Sequence, residues 1–209
     1  NANWTYDWSA FVTYEPITDA NFQDAVNLWF SDEANATHTF GHISDWNVSQ
    51  VTDMYGAFSG RTTFNEDISS WDTSSVTSMW DMFKNAYSFN QPIGDWNVSK
   101  VSSMRGMFFR AKSFNQPLSN WDVSKVLLMS DMFRFASAFN QPLQNWNISS
   151  LVNLARTFAG ATAFNHPVDN WDINAVSNMT EMFDDAISLS NSNKGLIHKS
   201  FSSNPIWPY

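Results

Sequence analysis

The sequence predicts an α/β solenoid of six 25-residue turns, with a parallel sheet on one face, short helices on the other and a cap at each end. Three observations lead there. Trp46, Trp71, Trp96, Trp121, Trp146 and Trp171 recur every 25 residues without insertion or deletion. The same frame carries Met54, Met79, Met104, Met129, Leu154 and Met179, then Phe58, Phe83, Phe108, Phe133, Phe158 and Phe183. Inside each copy the apolar spacing changes. Trp121-Asp122-Val123-Ser124 alternates, as a half-buried strand does, whereas Val126, Met129, Met132, Phe133 and Ala136 fall on one face of a helix. A fixed period of this size means that each unit buries its apolar face against its neighbours.

In chain order, residues 1–12 read as a junction from a preceding tandem module. Asn1-Ala2-Asn3-Trp4-Thr5-Tyr6 aligns with Asn204-Pro205-Ile206-Trp207-Pro208-Tyr209, with Asn, Trp and Tyr identical, 203 positions apart. The first residue is Asn rather than Met, and no charged-then-apolar leader follows, so the chain reads as a piece of a longer protein. Residues 13–45 read as an N-terminal helical cap, in which Thr18 or Asp19 caps a helix bearing Phe22, Ala25, Val26, Trp29 and Phe30 on one face. Residues 46–188 form the six repeats. Residues 189–209 read as the C-terminal cap and the start of the next junction, with Gly195–Phe201 covering the last turn. The Asn after each repeat Phe (Asn65, Asn90, Asn115, Asn140 and Asn165) predicts a ladder of stacked side chains that satisfy loop backbone groups.

The pattern W-D/N-V-S-x-V-x-x-M-x-x-M-F-x-x-A-x-x-F-N-Q-P-L/I covers residues 46–188, about two thirds of the chain. It resembles the mycoplasma-type 25-residue surface-lipoprotein repeat, a BspA-like branch of the leucine-rich-repeat surface proteins. Departures are local: Glu66-Asp67 in place of Gln-Pro, Thr157 in place of the second Met, His166 in place of Gln. The resemblance implies a cell-surface or secreted repeat protein linked to adhesion.

Twenty acidic against 11 basic side chains give a net charge of −9, which argues against an electrostatically driven nucleic-acid binder. No run reaches the ~18 apolar residues of a membrane span. Zero cysteines remove disulfides, thiol catalysis and thiolate metal sites. No Ser-His-Asp, paired-acid or glycine-rich phosphate pattern breaks the repeat, so no enzyme is expected. His38 and His42, near Asp45, read as cap hydrogen-bonding groups rather than a metal pair.

Two surfaces are candidate sites. On the expected sheet face, Asp72, Asn97, Asp122, Asn147 and Asp172 form a column of oxygens suited to a calcium-assisted carbohydrate site, with Asp72, Asp122 and Asp172 as ligands if Ca²⁺ binds. The competing reading makes the same residues turn and helix caps. On the helix side, Trp80, Arg105, Phe109, Arg110, Lys112, Arg134 and Phe135, with Lys84 and Tyr87, gather scarce basic residues among aromatics, as interaction hot spots do. Gap filling between turns is the alternative there. Leu127, Leu128 and Val152 add an apolar break. The function these features suggest is a non-enzymatic extracellular or cell-surface module of a larger tandem protein, mediating adhesion or ligand or protein binding. Its expected partners are neighbouring modules and a surface glycan or extracellular protein. Calcium-assisted glycan binding and a ligand-free spacer are the alternatives.

Overall fold

Backbone hydrogen bonds between successive 25-residue coils organise the molecule. The computed structural model describes residues 13–209; the expected junction, 1–12, lies outside them. The regular elements are α1 (Phe22–Ser31), α2 (Glu33–Phe40), a 3-10 turn at Ile43–Asp45, and α3 (Asn191–Phe201).

The α/β architecture with a parallel sheet and a helical face does not form. Among the described residues there is no strand, and no helix lies between Asp45 and Asn191. Parallel pairing survives as one residue per coil, Asp53, Ser78, Ser103, Leu128, Asn153 and Asn178 bridging in succession. The reason is local. Where a strand was expected, turns close on both sides: the Trp71 amide donates to the Ile68 carbonyl (3.2 Å) and the Val76 amide to the Thr73 carbonyl (2.9 Å). The chain therefore never runs straight long enough for a second ladder residue.

The expected helices fail for a different reason. Each coil holds two residues in the left-handed region, four apart: Gly56 and Gly60, Asp81 and Asn85, Gly106 and Arg110, Asp131 and Phe135, Arg156 and Gly160, and in the sixth coil Glu181 and Asp185. A right-handed helix cannot contain them. They let the backbone donors split two ways. The amides of Met79, Asp81, Phe83 and Asn85 donate to the carbonyls of Ser103, Arg105, Met107 and Phe109 in the next coil, at 2.7–3.0 Å. Met82, Lys84 and Ala86 between them close three-residue turns onto Met79, Asp81 and Phe83. An α-helix would have used all these donors internally and left nothing to join one coil to the next.

The repeat columns form the core. Phe58 to Phe183 stack at ring-centroid spacings of 5.5–5.7 Å. Phe64 to Phe164 stack at 5.8–6.2 Å. Within each of the first five coils the two Phe rings lie 3.9–4.2 Å apart. Each buried indole needs an acceptor. Trp96 Nε1 donates to the Ile68 carbonyl (3.1 Å), and Trp71, Trp121, Trp146 and Trp171 repeat that bond one coil apart. The asparagine ladder is present: Oδ1 of Asn65, Asn90, Asn115 and Asn140 accepts the amide of the Asn one coil on, at 2.8–2.9 Å. Beside it, Gln91, Gln116 and Gln141 donate Nε2 to the same Asn carbonyls, a role the sequence reading missed. His166 takes that place in the fifth coil. Thr157, the departure from Met, is buried with its hydroxyl donating to the Leu154 carbonyl (2.8 Å).

Both ends are closed by side chains that replace a missing coil. In the stack, the amide and hydroxyl of Thr77 donate to the Thr52 carbonyl one coil before. In the first coil, Thr52 finds Asp19 instead: its amide donates to Oδ1 (2.7 Å) and its hydroxyl to Oδ2 (2.6 Å), with the Asp53 amide adding a third bond. Asp19 is therefore not the cap of α1; Asn21 occupies that position and makes no side-chain cap bond. Above the first coil, buried Trp29 packs edge-on against Trp46, and Phe30 against Phe64. At the other end α3 buries Ile197 and Phe201, and its cap Ser190 donates its amide to Asn165 Oδ1 (2.9 Å). Past α3, Trp207 packs on Phe201 and donates Nε1 to His198 Nδ1 (3.1 Å). The Tyr209 hydroxyl accepts the Phe183 amide (3.0 Å), which has no next coil to meet, and donates to Asp184 Oδ1 (2.7 Å).

Candidate interaction surface

The polar column and the basic column fare differently. Asp72, Asn97, Asp122, Asn147 and Asp172 are all exposed, and each accepts through Oδ1 the amide of the residue two positions on, at 3.0–3.1 Å. These are Asx turns, the structural role that competed with the calcium reading. The Ser74 hydroxyl and amide hold the Asp72 carboxyl below its ordinary range, and Ser124 does the same for Asp122. Asp72, Asp122 and Asp172 stand in alternate coils, each within its own turn. Among the described residues no three acidic or histidine side chains are grouped to hold a metal ion. His42 accepts the Ser44 amide as the cap of the 3-10 turn, its ring edge-on to Trp29 at 4.9 Å.

The basic residues sit on the turn runs of the second, third and fourth coils. A cleft of about 240 Å³ brings together Trp80, Arg105, Phe109 and Arg134. Asp81 and Asp131 flank it and hold Lys84 (2.8 Å), Arg134 (3.3 Å) and Arg156 (2.8 Å). The floor is Gly106, at φ +60°; a Cβ there would come within 2.2 Å of Asp81 Oδ1, so a side chain would close the cleft.

Three cations remain. Arg105 lies over the Trp80 ring (5.1 Å), Arg110 over Phe109 (5.3 Å) and Phe135 (5.4 Å), and Lys112 over Tyr87 (4.5 Å). None has a carboxylate within ion-pair distance among the described residues. Of the expected surface residues, Tyr87, Arg110, Lys112 and Phe135 do not line the cleft. Arg110 and Phe135 also occupy left-handed positions (both φ 57°) in the column where the first and fifth coils use Gly60 and Gly160. A non-glycine residue there costs roughly 1–2 kcal/mol, and bulky Phe135 is the least expected. Its ring lies over Gly160, where an added Cβ would meet it at 2.3 Å. In a separate column, Leu127 and Val152 are exposed neighbours one coil apart, with Leu128 beside them.

The sequence matches the family described as "Mycoplasma protein of unknown function, DUF285" over residues 24–134 and again over 117–202. The chain belongs to that family. The matched span runs from within α1 through α3 and takes in every coil, including both surfaces above. No curated protein and no solved structure matches the chain. No helix among the described residues is long and apolar enough to cross a membrane.

Proposed function

We propose that the chain is a non-enzymatic binding module of an extracellular or cell-surface repeat protein, and that it holds an acidic protein partner through the basic–aromatic surface of coils two to four. The observation that carries this reading is the trio Arg105, Arg110 and Lys112: three cations over aromatic rings, without carboxylate partners among the described residues, on a chain of net charge −9. A guanidinium stacked on a ring keeps its N–H fork free for an incoming carboxylate, and the ring shields the pair from water.

The test is fluorescence anisotropy with a labelled peptide of alternating Glu and Leu. The wild-type chain binds it and binds less tightly as salt rises, and Arg105→Glu with Arg110→Glu weakens binding about tenfold or more. Arg110→Gly separates the roles: it raises stability by about 0.5–1 kcal/mol, by relieving the left-handed strain, while it weakens binding. Equal binding by wild type and the double variant, or a preference for a sulfated polysaccharide over the peptide, contradicts the proposal.

A further inference from the structure

The cleft between Trp80 and Phe109 encloses about 240 Å³. Drug-sized ligands occupy pockets of roughly 300–1,000 Å³, so this one has room for about one large side chain. It exists because Gly106 falls between Asp81 and Asp131 in one column of left-handed residues, where a side chain would close the gap. Three cations, Lys84, Arg105 and Arg134, line it against two carboxylates, Asp81 and Asp131. Both carboxylates are engaged. Asp81 holds Lys84 at 2.8 Å, and Asp131 takes a two-pronged bond from Arg156, Nε to Oδ1 (2.8 Å) and Nη2 to Oδ2 (3.0 Å). Arg134 shares Asp131 Oδ1 through Nη1 alone, at 3.3 Å, and its buried Nε has no acceptor among the described residues. Arg105 and Arg134 are therefore the charges left to meet an anion.

The walls add a second requirement. Trp80 is 38 % exposed and Phe109 is half-buried. Arg105 lies 5.1 Å from the centre of the Trp80 ring, and Arg134 5.8 Å from that of Phe109. A guanidinium placed in this way stacks on rings through its face and binds oxygen through its edge. An aliphatic carboxylate would use the edges and leave the rings in water, whereas an aryl anion uses both. The surplus of one positive charge in the lining matches a monoanion. A phosphate monoester carries close to two negative charges at neutral pH and would face Asp81 on the floor. A sulfate ester carries one. We propose that the cleft is the pocket for one aryl sulfate, a tyrosine O-sulfate on the acidic protein partner, with its ring between Trp80 and Phe109 and its sulfate on Arg105 and Arg134. The inference rests on the acidic-partner reading and names the side chain by which that partner is anchored.

The experiment uses three labelled forms of the alternating Glu and Leu peptide: the parent, one with its central Glu replaced by tyrosine, and one with tyrosine O-sulfate there. Anisotropy titrations against the full chain are expected to show the sulfated form binding about tenfold or more tightly than either of the others. Arg134→Gln removes that gain, and so does Gly106→Ala, which fills the floor. Near-ultraviolet circular dichroism of the Trp and Phe stacks checks folding, and Arg134→Gln carries the test alone if Gly106→Ala does not fold. Free tyrosine O-sulfate at millimolar concentration displaces the sulfated peptide, while inorganic sulfate at the same concentration and matched ionic strength does not. No gain on sulfation, a gain that survives in Arg134→Gln, or equal displacement by inorganic sulfate overturns the proposal. The two readings fail separately. A parent peptide that binds without any gain on sulfation removes the aryl sulfate pocket alone. A sulfated peptide that binds through the cleft, beside a parent that does not bind, removes the general acidic-peptide reading alone.

Discussion

At the N-terminal end the outermost coil lies under two packed helices, and its free amides meet a carboxylate, Asp19. At the C-terminal end it lies under one helix and a six-residue strap, and a free amide meets a phenol hydroxyl, Tyr209. Each group stands where the backbone carbonyl of a further coil would be. The difference lies in what surrounds it. Asp19 precedes α1, whose Phe22, Ala25, Val26 and Trp29 are buried, whereas Tyr209 hangs on a segment with one large side chain, Trp207, in contact with the core. A repeat stack needs its ends covered to stay soluble and folded. One end is closed by a buried helix face, the other by a short segment whose Trp207 is half-buried.

The comparison breaks most visibly at Trp29. Trp29→Ala removes a side chain that is 6 % exposed and packed on Trp46 and His42, at a cost of about 3–5 kcal/mol. For a chain of this size that lowers Tm by roughly 6–20 °C, read by calorimetry. Trp207→Ala, from a half-buried site, costs about half as much. Its effect is also local: the Phe183 amide loses hydrogen-exchange protection while Phe83, four coils inward, keeps its own. Equal and uniform loss from both variants would mean that the strap is as integral as α1.

Much of this was legible in the sequence, and the failures have identifiable causes. The columns of Trp, Met and Phe and the Asn ladder follow from the period. The helix reading of Val126 to Ala136 failed because two left-handed residues four apart space apolar side chains much as a helix does. Glycine was the available signal: four of the seven glycines, Gly56, Gly60, Gly106 and Gly160, stand in those two columns. The strand reading failed because Asp or Asn after each Trp, two before Ser or Asn, is an Asx-turn signature as much as a strand alternation. Of the site residues, the basic column was legible as a break in symmetry. Its division into paired and unpaired cations was not, because Asp81 and Asp131 reach their partners through backbone geometry that spacing does not reveal. Asp19 was read as a helix cap and Tyr209 as part of the likeness between the termini; the end-closing role of each was not legible, since each acts across one coil end and belongs to no column.

The measurement that tests the end-closing account most directly is thermal stability against pH for the wild type, Asp19→Ala and Tyr209→Phe. Burial pulls the Asp19 carboxyl up, but the Thr52 and Asp53 hydrogen bonds outweigh it and hold it below its ordinary range. Its contribution is therefore present above the unfolded value of about 3.9 and is lost as pH falls toward the folded one. Burial, and then the bond to Asp184, raise the Tyr209 phenol well above its ordinary range. Its contribution is therefore present below about pH 10 and is lost as pH rises further. The account predicts that Asp19→Ala lowers Tm at neutral pH and converges on wild type in acid, while Tyr209→Phe lowers it by about 0.5–1.5 kcal/mol equivalent and converges in alkali. Both variants tracking the wild type at a constant offset across the whole range would contradict it.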